Sequence, residues 1–301
     1  MGQSIVKGDT VKGSRSQPKA IATLLVDCED RKGLVSALAQ TLYGHGVNIL
    51  ESIQHVDRHA GRFFQRLHFD MSEMHTDRLT LERGLEEVTS RFSMNYRLTY
   101  AADEKRVALF VSKQDHCLYE LLLRNRSGEL VCDIPIILSN HDDLREVAEQ
   151  FGKRFEVFPI DKENKDAQET KEIALLESLD IDLVVLARYM QIVSEPFARR
   201  FAGRIINIHH SFLPAFVGGR PYQQAYRRGV KLIGATAHYV TPALDKGPII
   251  EQDVIRVDHS DTVADMVRQG RDIETMVLSR GLRWHLEDRI LVHGRKTVVF
   301  T

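Results

Sequence analysis

The sequence predicts two α/β units joined by a short linker. The first, over residues 19–100, is a ferredoxin-like β-α-β-β-α-β unit; the second, over 106–301, is a mostly parallel doubly wound sheet. The element order before residue 100 carries the first expectation. Regular strand–helix alternation after residue 105 carries the second, because such alternation places helices on both faces of a parallel sheet. The stretch 101–105 is short, small and charged, and reads as the linker.

In the first unit, residues 21–26 form an apolar strand and 27–33 a polar turn. Leu34, Leu38, Ala39 and Leu42 recur at helical spacing, and Gly44 and Gly46 stop that helix. Residues 47–56 and 62–71 read as strands around the turn at 58–61. An amphipathic helix over 79–92 and a strand over 94–100 complete the unit. Its two helices cover one sheet face, so the other face or an edge strand is expected to be available for pairing with a second copy.

In the second unit the strands fall at 106–111, 134–138, 155–158, 183–187 and 205–208. Helices fall between them at 118–123, 144–151, 166–179 and 195–201. Later strands at 231–240, 249–257 and 289–300 are expected at an antiparallel edge. Parallel doubly wound sheets bind ligands beyond the carboxyl ends of their strands.

Composition excludes several classes. The chain has 301 residues, 43% hydrophobic and 28% charged, with a net charge of −1, which gives no drive toward nucleic acid or anionic membranes. Cys28, Cys117 and Cys132 are too few for a disulfide framework, so a reducing, cytoplasmic setting is expected. The histidines form no metal-binding motif, and no metal is expected. No apolar run reaches membrane-span length, and residues 1–18 read as a flexible tail.

The chemistry concentrates at the end of the fifth strand. Asn207 and His209 alternate along an apolar run, so both side chains share one face. Polar groups there are costly to bury without partners. Asp245 follows in a loop bounded by Pro242, Gly247 and Pro248. An amide donor, an imidazole and a carboxylate are the parts needed to move an acyl group.

These residues resemble the folate-dependent formyltransferase family. Its signature of Asn-x-His on a strand, Ser-x-Leu-Pro after it and Asp-x-Gly in a later loop is met by Asn207, His209, Ser211, Leu213, Pro214, Asp245 and Gly247. The run continues to Arg220, and residues 235–239 match as well. The resemblance covers 106–301, a formyltransferase-like Rossmann variant, and implies that Asn207, His209 and Asp245 are catalytic. It also implies that Met190, Gln191, Ile192, Val240 and His238 bind the folate. His210 stands where purine-precursor transformylases have Pro, and residues 112–116 contain no glycine where they carry a phosphate-holding loop. Both departures, with the extra first unit, are similar to the branch that hydrolyses 10-formyltetrahydrofolate. That implies water as acceptor, tetrahydrofolate and formate as products, a link to purine synthesis and folate balance, and no cofactor. The division of acid and base work between His209 and Asp245 stays open. The alternatives are transfer to an amine and a non-catalytic folate- or amino-acid-sensing regulator.

The first unit, with Asp30, Gly33 and Leu34 opening its helix and Asn48-Ile49 opening its second strand, resembles an ACT domain. This implies a regulatory and assembly role, in a homodimer or homotetramer. Asp30, Gly33 and Asn48 are the implied contacts for a small amino-acid effector, since a helix N-terminus can receive a carboxylate.

Overall fold

The computed structural model describes residues 20–215 and 221–301. Residues 1–19, with the expected tail, and 216–220, with Arg220 of the motif, lie outside them. Among the described residues, no helix is long and apolar enough to cross a membrane.

The first unit contains β1 (Ile21–Glu29), α1 (Leu34–Gly44), β2 (Asn48–Asp57), β3 (Arg62–Asp70), α2 (Arg78–Arg91) and β4 (Asn95–Tyr100). Its antiparallel sheet has the order β2-β3-β1-β4. β1 runs three residues past its expected end, because Asp27, Cys28 and Glu29 pair with Phe64, Phe63 and Arg62. The turn therefore begins only at Asp30. Alternation along β1 sends Leu24, Val26 and Cys28 to the helix side, where Leu34, Leu38, Leu42, Leu81 and Leu85 complete one core.

The second unit begins with β5 (Arg106–Val111), α3 (His116–Ser127), β6 (Asp133–Ser139), α4 (Arg145–Gln150) and β7 (Phe155–Val157). It continues through α5 (Lys165–Ser178), β8 (Leu183–Leu186), α6 (Glu195–Arg200) and β9 (Ile205–His209). Then come α7 (Pro221–Arg228), β10 (Leu232–Tyr239), β11 (Ile249–Arg256), α8 (Val263–Leu286), β12 (Ile290–His293) and β13 (Lys296–Val299). The seven-stranded sheet has the order β11-β10-β9-β8-β5-β6-β7, parallel except for β10, which runs antiparallel to both its neighbours. The chain moves outward from β5 to β7 and returns through β8, so the order reverses beside β5. β5 shows how both faces fill: Val107, Leu109 and Val111 enter one core, and Ala108 and Phe110 the other.

Three expectations change. Residues 289–300 are not one edge strand but the β12–β13 hairpin, turning at Gly294 with φ 59°. The open face of the first sheet is not free: Phe300, Leu291 and Val298 pack there against Leu25, Phe64 and Ile53. α7 and α8 occupy stretches where the sequence reading assigns no element. Thr262 opens α8 with a reciprocal cap to Asp265, worth about 1 kcal/mol.

The C-terminal carbonyls of α8, which lack partners within the helix, are met by cations from both sides. Lys105 Nζ donates to the Leu286 carbonyl at 2.7 Å, and Arg66 donates to those of Glu287 and Asp288 at 3.1 and 3.0 Å. Arg66 is buried and also pairs with Glu51. Removing it takes the donor from two carbonyls and leaves Glu51 to Arg289, 3.8 Å away. Arg66→Ala is therefore expected to cost at least about 2 kcal/mol. A denaturant midpoint unchanged from the parent chain would contradict this account of the domain junction.

Candidate active site

The residues singled out in the second unit converge. A cavity of about 340 Å³ opens at the carboxyl ends of β8 and β9. Asn207, His209, Asp245, His238, Met190, Gln191, Ile192 and Val240 all line it. Met190 and Ile192 are 58% and 60% exposed, so these apolar side chains form the rim of the cavity and are not core. Backbone strain gathers at the same place. Of the six non-glycine residues with positive φ among the described residues, Arg188 (64°), Met190 (59°) and Asp245 (52°) line this cavity.

His238, opposite Asn207 on β10, fixes the amide. Its Nδ1–H donates to the Tyr239 carbonyl at 2.9 Å, so its Nε2 must accept. Asn207 Nδ2 donates to that Nε2 at 3.2 Å and keeps a second N–H. His209 turns Nδ1 toward Asp245, 3.5 Å from Oδ1, while its buried Nε2 has no hydrogen-bond partner among the described residues. The same Oδ1 is 3.9 Å from His238 Nε2. At 3.5 Å the His209–Asp245 contact is an ion-pair distance, too long for a good hydrogen bond.

Burial dominates the titration here. It lowers the pKa of His209, and the opposing Asp245 charge does not restore it, so the resting imidazole is neutral at neutral pH. Asp245 therefore does not hold the resting His209 protonated. Burial likewise lowers His238, and takes His210 down to about 4 with help from Arg188.

Supporting groups explain the motif. Thr236 Oγ1 donates to the Ser211 carbonyl at 2.9 Å and accepts from Leu213 N–H at 3.1 Å, which holds the segment after His209. Glu172 accepts from the Tyr189 hydroxyl at 3.2 Å, and Glu169 from Ser194 N–H at 3.0 Å, anchoring the cavity wall.

The sequence reading gave no role to a buried charged group beside the trio. Glu274 on α8 is 1% exposed and accepts from His116 at 2.8 Å and the Tyr222 hydroxyl at 2.7 Å, with Arg188 Nε at 3.5 Å. Gln114, from the glycine-free loop, accepts from Arg188 at 2.9 Å. The usable signal was Glu274 one turn after Gly270 on an otherwise apolar helical face. His116, Cys117 and Glu274 are the one trio of potential metal ligands among the described residues, within 4.8 Å of one another. A cation there would face Arg188.

The effector residues do not converge. Asn48 pairs with Asp70, which pairs with Ile21, whereas Glu29 pairs with Arg62. Asn48 and Asp30 thus lie at opposite ends of the sheet, roughly 25 Å apart at the usual strand rise. Gly33, at the start of α1 with φ 92°, stays with Asp30.

Comparison with known proteins agrees with this geometry. The formyl transferase family profile matches residues 105–282, and the ACT domain profile residues 22–91. A formyltetrahydrofolate deformylase of Synechocystis is 51% identical over 93% of this chain and 98% of its own. One from Bacillus subtilis is 49% identical over 92% and 93%. The crystal structure of a formyltetrahydrofolate deformylase from Pseudomonas syringae superposes with a TM-score of 0.92 at 47% identity, covering 95% of this chain and 96% of that one. A glycinamide ribonucleotide transformylase from Symbiobacterium toebii gives 0.63 at 30% identity, covering 68% of this chain and 98% of its own.

The loop carrying Asp245 rests on Gly247. A Cβ there would lie 1.7 Å from the Tyr239 carbonyl oxygen, a backbone atom that cannot swing aside. Gly247→Ala should therefore cost about 1–3 kcal/mol by overpacking. Denaturant titration checks this, and an unchanged midpoint would show that the loop does not need the close approach.

Proposed function

The chain belongs to the formyltetrahydrofolate deformylase family and is a hydrolase, and from that premise we propose how this cavity performs the reaction. 10-Formyltetrahydrofolate lies with its pterin against Met190, Ile192 and Val240, and its formyl group beside Asn207, His209 and Asp245. The convergence of that trio under an apolar rim carries the reading.

Water attacks the formyl carbon. Neutral His209 takes its proton, and Asp245 stabilises the imidazolium that forms. The free N–H of Asn207 donates to the oxygen as it gains charge, an effect worth about 3–4 kcal/mol in similar sites. His209 returns the proton to the departing nitrogen, leaving tetrahydrofolate and formate. No metal or redox group enters this sequence. The formate supplies purine synthesis and the reaction balances the one-carbon folate pool in the cytoplasm. An amino acid acting on the first unit would be clasped between copies, by the Asp30–Gly33 turn of one and Asn48 of the other, in a homodimer or homotetramer.

Purified chain should release formate from 10-formyltetrahydrofolate at a rate indifferent to added glycinamide ribonucleotide. Consumption of the folate only with that amine, without formate, would replace hydrolysis by transfer.

The pH dependence follows from the sign of the His209 shift. A base must be deprotonated, and its pKa lies below the usual value of 6.5. Activity should therefore persist through mildly acidic pH and fall only below that point. Asp245 raises the His209 pKa, so Asp245→Asn should move the acid limb lower still and reduce kcat at least about a hundredfold. Near-parental kcat in this variant would remove Asp245 from the mechanism.

A further inference from the structure

Resting on the hydrolytic reading, we propose that Glu274 is a positioning residue for the reaction: it holds Arg188 in the cavity wall and offsets the guanidinium charge beside His209. Its carboxylate is 1% exposed and meets three groups, each from a different element: hydrogen bonds from His116 of α3 and Tyr222 of α7, and the cation of Arg188 beyond β8 at ion-pair distance, 3.5 Å. Burial opposes its ionisation, but His116, Arg188 and Tyr222 together outweigh that and hold it below the usual carboxylate range. Cys117 also faces it, and burial keeps that thiol protonated.

The fold is shaped to bring these groups together. Gly270, one turn before Glu274, lies under the Tyr222 ring, and a Cβ there would fall 2.0 Å from the hydroxyl. Any larger residue would push the phenol off the carboxylate. Arg188 adopts φ 64° where the chain turns from β8 into the cavity wall, and it is 7% exposed. Its Nε lies between Glu274 and Gln114, while Nη1 has no hydrogen-bond partner among the described residues. A buried guanidinium with so few acceptors depends on its one carboxylate.

The cluster reaches the trio through tilted ring contacts. His210 lies 5.3 Å from His209 and 6.2 Å from Tyr222. The charged and titratable groups acting on His209 are Asp245, His238, Arg188 and Glu274. Asp245 and Glu274 favour its protonation, while Arg188 and His238 oppose it, Arg188 more strongly than Glu274 favours it. Unopposed, Arg188 would make His209 a weaker base.

The test is the pH profile of formate release by the full chain, read beside circular dichroism. Glu274→Gln keeps the shape and removes the charge. Its acid limb should move down by about half a pH unit or more, with kcat reduced at least about tenfold. Glu274→Asp should restore the limb. Arg188→Met combined with Glu274→Gln leaves no unpaired buried charge and should fold even where the single variant does not. Its limb should move above the parental position, because the stronger of the two influences has gone. A limb unmoved in whichever of these variants folds overturns the proposal, whatever the loss of rate, since a purely structural role lowers activity without shifting it. Parental chain that releases no formate overturns the reading beneath it instead.

Discussion

The arrangement turns on the desolvation of polar groups at the end of β9. Ile206 and Ile208 face one core and Ile205 the other, so Asn207 and His209 project from a strand covered on both sides. Amides and imidazoles there keep their solvation cost unless neighbours replace water. The replacements are specific. His238 is locked by its own backbone and can only accept, so it fixes the orientation of Asn207. Asp245 reaches His209 only because the loop returning from β10 crosses the Tyr239 carbonyl at a glycine. Positive φ at Asp245, Arg188 and Met190 is backbone strain that the two closed cores can hold in place.

α8 ties this site to the rest of the molecule. Its 24 residues span about 36 Å at the helical rise. Near its middle, Glu274 stands behind the trio, and its last carbonyls are held by Lys105 of the linker and Arg66 of the first sheet. The terminal hairpin then covers the face of that sheet which a free domain would expose. A shift of the first unit against the second must therefore strain the α8 terminus or break buried hydrogen bonds. The two units share one mechanical element, and that element carries Glu274 to Arg188 in the wall of the cavity that His209 lines.

Much of this was legible in the sequence, for physical reasons that also mark where legibility stopped. Alternation in β9 identifies Asn207 and His209 because a period of two is a local property of extended chain. The Asp245 loop is legible because Gly247 and Pro248 restrict its backbone. α8 was not, although Met266, Ile273 and Val277 repeat at helical spacing. Gly270, Glu274 and Gly281 interrupt that pattern and read as breakers and solvent-facing charge. Each is explained only by a partner distant in sequence: the Tyr222 ring over Gly270, Arg188 beside Glu274, Ala237 against Gly281. That Asn48 and Asp30 lie apart within one copy was hidden for the same reason, because strand register and not residue type decides which end of a sheet a residue occupies.

The balance of charge around His209 bears on why the site suits water. Burial keeps the three imidazoles His209, His210 and His238 neutral, and Arg188 is matched by Glu274. Asp245 is then the remaining charged partner at the reacting group. A proton taken from water onto His209 meets an opposite charge 3.5 Å away in a low-dielectric setting, where that attraction is weakly screened. Had burial not kept His209 neutral, the same imidazole would rest protonated and be unable to accept. Water is a poor nucleophile until its proton has somewhere to go, and under the proposed mechanism neutral His209 is that acceptor. Desolvation, which makes these groups costly to fold, thereby sets the protonation state from which the reaction begins.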